Sequence, residues 1–207
     1  GTANLGGIAD SVSVQLVDRF NRVSADTKLI NYYPAPGLTI FSPATNHDTS
    51  LQTIVVSGST SNAKQGSQIK IFVNGVLNTQ VLVVSGQWSG TAKLTALGDS
   101  ISVQLKDIWD RYLQDTIVIN YYGSPSVYLT YPENNNNTNI QRITIRGTIL
   151  NAKNNSSIIR VYINNILKDS FYLTNNSFET AVDLSDVGDS LVVWLLDSFN
   201  RNAYDTK

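Results

Sequence analysis

Asp10-Ser-Val-Ser-Val-Gln-Leu-Val-Asp18-Arg-Phe-Asn-Arg22, followed by Asp26-Thr27, recurs in three similar copies along this chain of 207 residues, and the first two copies continue into Ile-Asn-Tyr-Tyr, here Ile30-Asn31-Tyr32-Tyr33. It returns as Asp99-Ser-Ile-Ser-Val-Gln-Leu-Lys-Asp107, with Arg111, Asp115-Thr116 and Ile119-Asn120-Tyr121-Tyr122. It returns again from Asp189, through Asp197 and Arg201, to Asp205-Thr206-Lys207. From Asp10 to Asp99 is 89 residues, and from Asp99 to Asp189 is 90. Inside the repeated text, Val12, Val14 and Leu16 alternate with Ser11, Ser13 and Gln15. That period of two puts one strand face on a core and the other in water. Ile101, Val103 and Leu105 alternate in the same way with Ser102, Gln104 and Lys106, and no stretch keeps a helical period. A repeat of this length made of short alternating strands predicts an all-β string of sandwich modules of about 89 residues.

Outward from this stretch, the rest of the repeat aligns as well. Ser42-Pro43 matches Tyr131-Pro132, Ser57-Gly58-Ser59 matches Arg146-Gly147-Thr148, and Asn62-Ala63-Lys64 matches Asn151-Ala152-Lys153. After one inserted residue, Lys70-Ile71-Phe72-Val73-Asn74-Gly75 lies over Arg160-Val161-Tyr162-Ile163-Asn164-Asn165. Gln87-Trp88-Ser89-Gly90 lies over Ser177-Phe178-Glu179-Thr180. Asn74-Gly75 suits the positive φ angles of a type I′ hairpin turn. Gly1-Thr2-Ala3-Asn4-Leu5 repeats as Gly90-Thr91-Ala92-Lys93-Leu94, so the chain begins inside a module. Three pieces are predicted: 1–34, a partial module of about three terminal strands; 35–123, a complete module; and 124–207, a module lacking most of its last strand. Each whole module should hold about seven strands.

Composition narrows the function classes. A net charge of −1 disfavours nucleic acid as a main partner, since that needs a basic face. No apolar stretch reaches the ~18 residues of a spanning helix, so no membrane insertion is expected. Cys is absent, which removes disulfides, thiolate ligands and thiolate nucleophiles. Met is absent even at position 1, as in a processed or excerpted chain.

The Ser-Pro opening, the Ser-Gly-Ser/Thr strand, the Val-Asn-Gly hairpin, Gly-Gln-Trp-Ser, and Leu-Gly-Asp-Ser before a strand ending in Asp107 occur in order. Together they resemble the bacterial Ig-like tandem repeats of large cell-surface adhesins, over nearly the whole chain. The resemblance implies tandem Ig-like β-sandwich modules in an extracellular, cell-surface protein. In some of these adhesins calcium rigidifies the junctions between modules. The family's Asp-x-x-Gly-Asn turn is replaced here by Asp18-Arg-Phe-Asn21-Arg22, Asp107-Ile-Trp-Asp110-Arg111 and Asp197-Ser-Phe-Asn200-Arg201.

Asp18, Asp26, Asp107 and Asp115 are the candidate calcium ligands, though calcium takes six to eight oxygens and these supply few. The competing reading is a turn whose Asp accepts backbone N–H groups and pairs with Arg. Recurrence in every module favours that turn, because a catalytic pair has no reason to repeat. No other cofactor is implied. His47, the single histidine, lies in a polar stretch without a second metal ligand. Trp88 is expected to pack in the core. Val192, Trp194 and Leu196 replace the polar outward residues of the other copies and suggest a covered protein interface. Tyr32, Tyr33, Tyr121 and Tyr122 are expected at module junctions. Asn136, Asn154, Asn155 and Asn175 begin glycosylation sequons.

The functional expectation is a non-enzymatic stalk, spacer or fibre segment whose partners are neighbouring modules of the same or an identical chain. The open ends fit either an excerpt of a longer tandem protein or strand donation between subunits. The alternative is a module that binds a host or surface glycan or receptor.

Overall fold

The computed structural model describes residues 1–185 and 188–207, and all regular structure among them is β. Two compact units form, one from residues 1–47, 53–94 and 99–119, the other from residues 48–52, 95–98 and 120–207.

The first unit opens with a hairpin of β1 (Asp10–Val17) and β2 (Val23–Ile30), paired from Asp10 opposite Ile30 to Val17 opposite Val23. A sandwich follows. One sheet holds β3 (Gly37–Ser42), β5 (Thr53–Ser61) and β8 (Gln87–Lys93) in that order. The other holds β4 (His47–Thr49), β10 (Tyr112–Tyr121), β9 (Asp99–Lys106), β6 (Gln68–Val73) and β7 (Val76–Leu82), with residues 48–49 of β4 and 120–121 of β10 counted in the second unit. The alternating residues meet between the sheets: Val56, Ile69, Ile71, Leu94, Ile101 and Leu105 are fully buried. Each such side chain contributes roughly 1.5–3 kcal/mol of transfer free energy.

The second unit repeats the plan with β11 (Ser126–Tyr131), β12 (Arg142–Leu150) and β15 (Ser177–Asp183) facing β14 (Ile166–Tyr172), β13 (Ile158–Ile163), β16 (Leu191–Leu196) and β17 (Asn202–Thr206). One cluster of buried side chains, including Ile145, Ile159, Leu173 and Leu195, fills the space between them. The Asp205 carboxylate of β17 accepts the Leu129 N–H of β11 at 2.7 Å, a polar tie from one sheet to the other. Strand β17 has five residues where β10 has ten.

Local chemistry explains the matched landmarks. Asn74 and Gly75 have φ of 50° and 80°, and Asn164 and Asn165 have 52° and 65°, as the two-residue turns β6–β7 and β13–β14 require. The glycine of each Ser/Arg-Gly-Ser/Thr strand lies directly opposite an aromatic, Gly58 against Trp88 and Gly147 against Phe178. A Cβ on Gly58 would stand 1.9 Å from Thr39 O and 2.4 Å from the Trp88 ring. The aromatic and the bare backbone are therefore one device, and Trp88 is buried as expected.

The first piece departs from expectation. It has two strands and not three, and residues 1–5 form no strand although they copy the end of β8. A strand needs a partner for its backbone groups, and among the described residues no β5-like strand lies beside them. For the same reason Val14 and Leu16, copies of the buried Val103 and Leu105, are 69% and 65% exposed. His47 starts the short strand β4, with its side chain in solvent.

Candidate functional site

The Asp–aromatic–Arg turn is where sequence recurrence and geometry meet. At the end of β9, Asp107 Oδ1 accepts the N–H groups of Trp109 and Arg111, both at 2.9 Å. Its Oδ2 accepts Arg111 Nε at 2.5 Å. Asp110 takes φ 61°, as Asn21 and Asn200 take 62° and 60° in the other copies. Asn and Asp tolerate this left-handed conformation better than other non-glycine residues, which suits them to this position of the turn.

The aligned guanidinium then reaches far along the chain. Arg111 NH1 donates to Pro34 O at 2.8 Å and Tyr33 O at 3.2 Å, while the Trp109 ring lies 4.8 Å from that of Tyr33. In the second unit Asp197 holds Phe199 N–H, Arg201 N–H and Arg201 Nε in the same way. Arg201 NH1 donates to Tyr122 O at 3.1 Å, and Phe199 lies 5.6 Å from Tyr122. Each sandwich thus grips the segment of chain that leads into it. In the hairpin the turn forms again, with Asp18 on Phe20, Arg22 N–H and Arg22 Nε, but Arg22 is 77% exposed.

Burial pushes the Asp107 carboxyl up, but the Arg111 and Trp109 N–H groups and the Arg111 guanidinium outweigh it and hold it below the ordinary carboxylate value. Backbone N–H of Arg22 leads the same downward shift at Asp18. In the second unit the entering segment meets a further cluster. Lys153 Nζ bonds the Asp48 carboxylate, whose other oxygen accepts Asn120 Nδ2 at 3.0 Å. Tyr122 N–H donates to Thr49 O at 2.9 Å. Burial, then the Asp48 charge, raises the Tyr122 hydroxyl, while bonding to Asp48 raises Lys153.

The structure sorts the predicted residues. Tyr33 and Tyr122 enter the ring pairs, whereas Tyr32 bonds Gly7 O through its N–H and Tyr121 bonds Ala96 O. The calcium candidates are not brought together. Asp26 lies opposite Val14 and Asp115 opposite Val103, four ladder positions or ~13 Å from Asp18 and Asp107 respectively. Asp18 and Asp107 spend both oxygens on their own turns, Asp26 pairs with Lys28 at 3.2 Å, and Asp115 accepts Thr116 N–H. Val192, Trp194 and Leu196 are half-buried on the outward face of β16. There the Arg160 guanidinium covers the Trp194 ring at 4.9 Å, and Tyr204 stands opposite. Asn136, Asn154, Asn155 and Asn175 are exposed in loops and turns. Among the described residues no three His, Asp or Glu side chains gather as a metal site would need.

The carbonyl partners of Arg111 and Arg201 escaped sequence reading, because they lie 77 to 79 residues away. The available signal was the joint recurrence of aromatic-x-Arg with Tyr33 and Tyr122.

No protein-family model matches this chain, and no curated protein matches its sequence. Among solved structures, the crystal structure of the DIP-gamma IG1 and IG2 domains is similar at TM-score 0.51 and 9% identity, over 84% of this chain and 96% of that one. The fold is immunoglobulin-like. Other similar structures are the fibronectin(III)-like modules of Clostridium thermocellum CbhA and a 1.5-MDa bacterial ice-binding adhesin characterised for host cell surface retention. Their TM-scores are 0.36 and 0.39, at 13% and 15% identity over 82% and 84% of this chain. The chain spans 91% of the former and 62% of the latter.

Proposed function

We propose that this chain is a non-enzymatic structural segment of an extracellular, cell-surface protein, a stalk or spacer of tandem Ig-like modules of the bacterial adhesin kind. One observation carries the reading: Arg111 and Arg201, each aligned by a buried aspartate, hold the backbone carbonyls of the segment leading into their own sandwich. Recurrent investment in the entering chain serves a protein that transmits position or force along its length. It is of no use to a site that acts on a small molecule. The grip restricts hinge motion, with Tyr33 and Tyr122 as the ring contacts that stiffen it. Calcium is not required, because the guanidinium supplies the positive charge at the turn. Small-angle scattering tests the proposal. The chain should be rod-like, and Arg111→Ala with Arg201→Ala should broaden its distance distribution. A compact globule, or no change in the double variant, would refute it.

A second reading rests on the hairpin. Val14 and Leu16 present core residues to solvent, which supports completion of this half-module by strands of an identical chain. Light scattering over a range of concentrations decides it. Growth of mass into polymers fits strand donation, and a constant mass near 22.7 kDa excludes it.

A further inference from the structure

The two sandwiches share one plan but not one surface. The outward side chains of β13 and β16 alternate with Ile159, Val161, Val193 and Leu195, which are fully buried. Their rows follow from the ladder: Ile158 stands beside Leu196, Arg160 beside Trp194, and Tyr162 beside Val192. Tyr172 of β14 extends the face on one side and Tyr204 of β17 on the other. Arg160 is the only charged residue among these eight. In the first sandwich the same face carries Gln68 and Lys106 where the second has Ile158 and Leu196. Gln104 and Gln114, bonded at 3.1 Å, stand where the second has Trp194 and Tyr204. The fold therefore accepts a polar face here, and the sandwich core does not demand an apolar one.

The order of these rows makes the face complementary to itself. A two-fold axis parallel to the strands, midway between β13 and β16, exchanges the two strands. Ile158 then meets Leu196 of a second copy, Tyr162 meets Val192 and Arg160 meets Trp194, each contact made twice as in an isologous interface. Two sheets packed ~10 Å apart and crossed by about 30° keep that order. The Arg160 guanidinium already lies 4.9 Å over its own Trp194 ring. Between two indoles it stays in a setting where a guanidinium sheds water at little cost. The area also suffices. Tyr172 and Tyr204, 61% and 70% exposed, bring roughly 300 Å² of accessible surface. With the rows between them the face offers roughly 700 Å² per copy, and a pair would bury about 1,400 Å², inside the ~1,200–2,000 Å² of stable interfaces. Other occupants fit less well. A saccharide would stack on the Trp194 ring, which Arg160 already covers, and an anionic membrane surface would need a cluster of cations where this face has one. On the first sandwich the same axis would bury Lys70 and Lys106 against Gln104 and Gln68 without a counter-charge. We propose that the second unit joins two copies of this chain into a symmetric dimer, with β13 and β16 of one copy against β16 and β13 of the other. The dimer uses none of the gripping residues, so its failure and that of the stalk reading are separate results.

Sedimentation equilibrium of the full chain tests the dimer. With rising concentration the mass should climb from 22.7 kDa to twice that value and stop there. Trp194→Gln combined with Leu196→Lys copies Gln104 and Lys106 of the first sandwich at outward positions. It should weaken association about tenfold or more. Hydroxyl-radical footprinting of the wild type needs no variant and keeps the proposal testable if that chain misfolds. Tyr172 and Tyr204 should become protected as the dimer fills, while Tyr128, exposed on the other sheet, should not. Four outcomes overturn the dimer: a monomer at every concentration, which would leave the face to a different partner; growth past two copies; association unchanged in the folded double variant; or association that leaves Tyr172 and Tyr204 as reactive as before.

Discussion

The chain contains its own control for the aspartate turn. Asp18, Asp107 and Asp197 make the same two backbone bonds and the same pair with an arginine four residues on. Only their surroundings differ: the Asp107 and Asp197 side chains are fully buried, and their arginines grip a distant carbonyl. Asp107→Ala leaves two N–H groups without an acceptor and a guanidinium, 32% exposed, without its anion. Removing one partner of a fully buried pair costs about 3–5 kcal/mol. The partial exposure of Arg111 lets water recover some of that loss, so about 2–4 kcal/mol is expected. For a sandwich of this size the unfolding midpoint should fall by roughly 10–25 °C. Asp197→Ala should do the same to the second sandwich, and Asp18→Ala should leave both midpoints unchanged. Thermal unfolding followed by the fluorescence of chains that keep one tryptophan separates the units, because Trp88 reports on the first and Trp194 on the second, while Trp109, which stands in the altered turn, is replaced by Phe as in the other copies. If Asp18→Ala costs as much as Asp107→Ala, the cost belongs to the turn itself. The argument from burial and grip would then be wrong.

Other consequences can be measured in the same way. Gly58→Ala should destabilise the first sandwich by at least about 3 kcal/mol, since its methyl would meet Thr39 O and the Trp88 ring below contact distance; unaltered chemical denaturation would contradict this. Arg111→Lys should behave almost as Arg111→Ala in scattering, because one ammonium cannot bridge Asp107 and the carbonyls of Tyr33 and Pro34 together. On acidification, the carboxyl of Asp107 is held below its ordinary value by the turn. Its contribution is therefore complete above about pH 3.9 and lost as pH falls through the lower folded value. Melts of the wild type should show this loss, and Asp107→Asn should flatten it.

Much of the architecture was legible in the residue order. The alternation Ile101-Ser-Val-Gln-Leu105 set which side chains of β9 face inward, and Asn74-Gly75 placed a hairpin, because both effects act over a few residues. The Asp–Arg turn was legible as a turn for the same reason. Its grip on Tyr33, Pro34 and Tyr122 was not, since a hydrogen bond across nearly 80 residues leaves no local pattern.

The limits are sharpest where equal sequences have unequal fates. Val14 and Leu16 read like Val103 and Leu105, yet the first pair is in water and the second is buried. Periodicity determines which face of a strand is apolar; whether anything covers that face depends on strands from elsewhere in the chain.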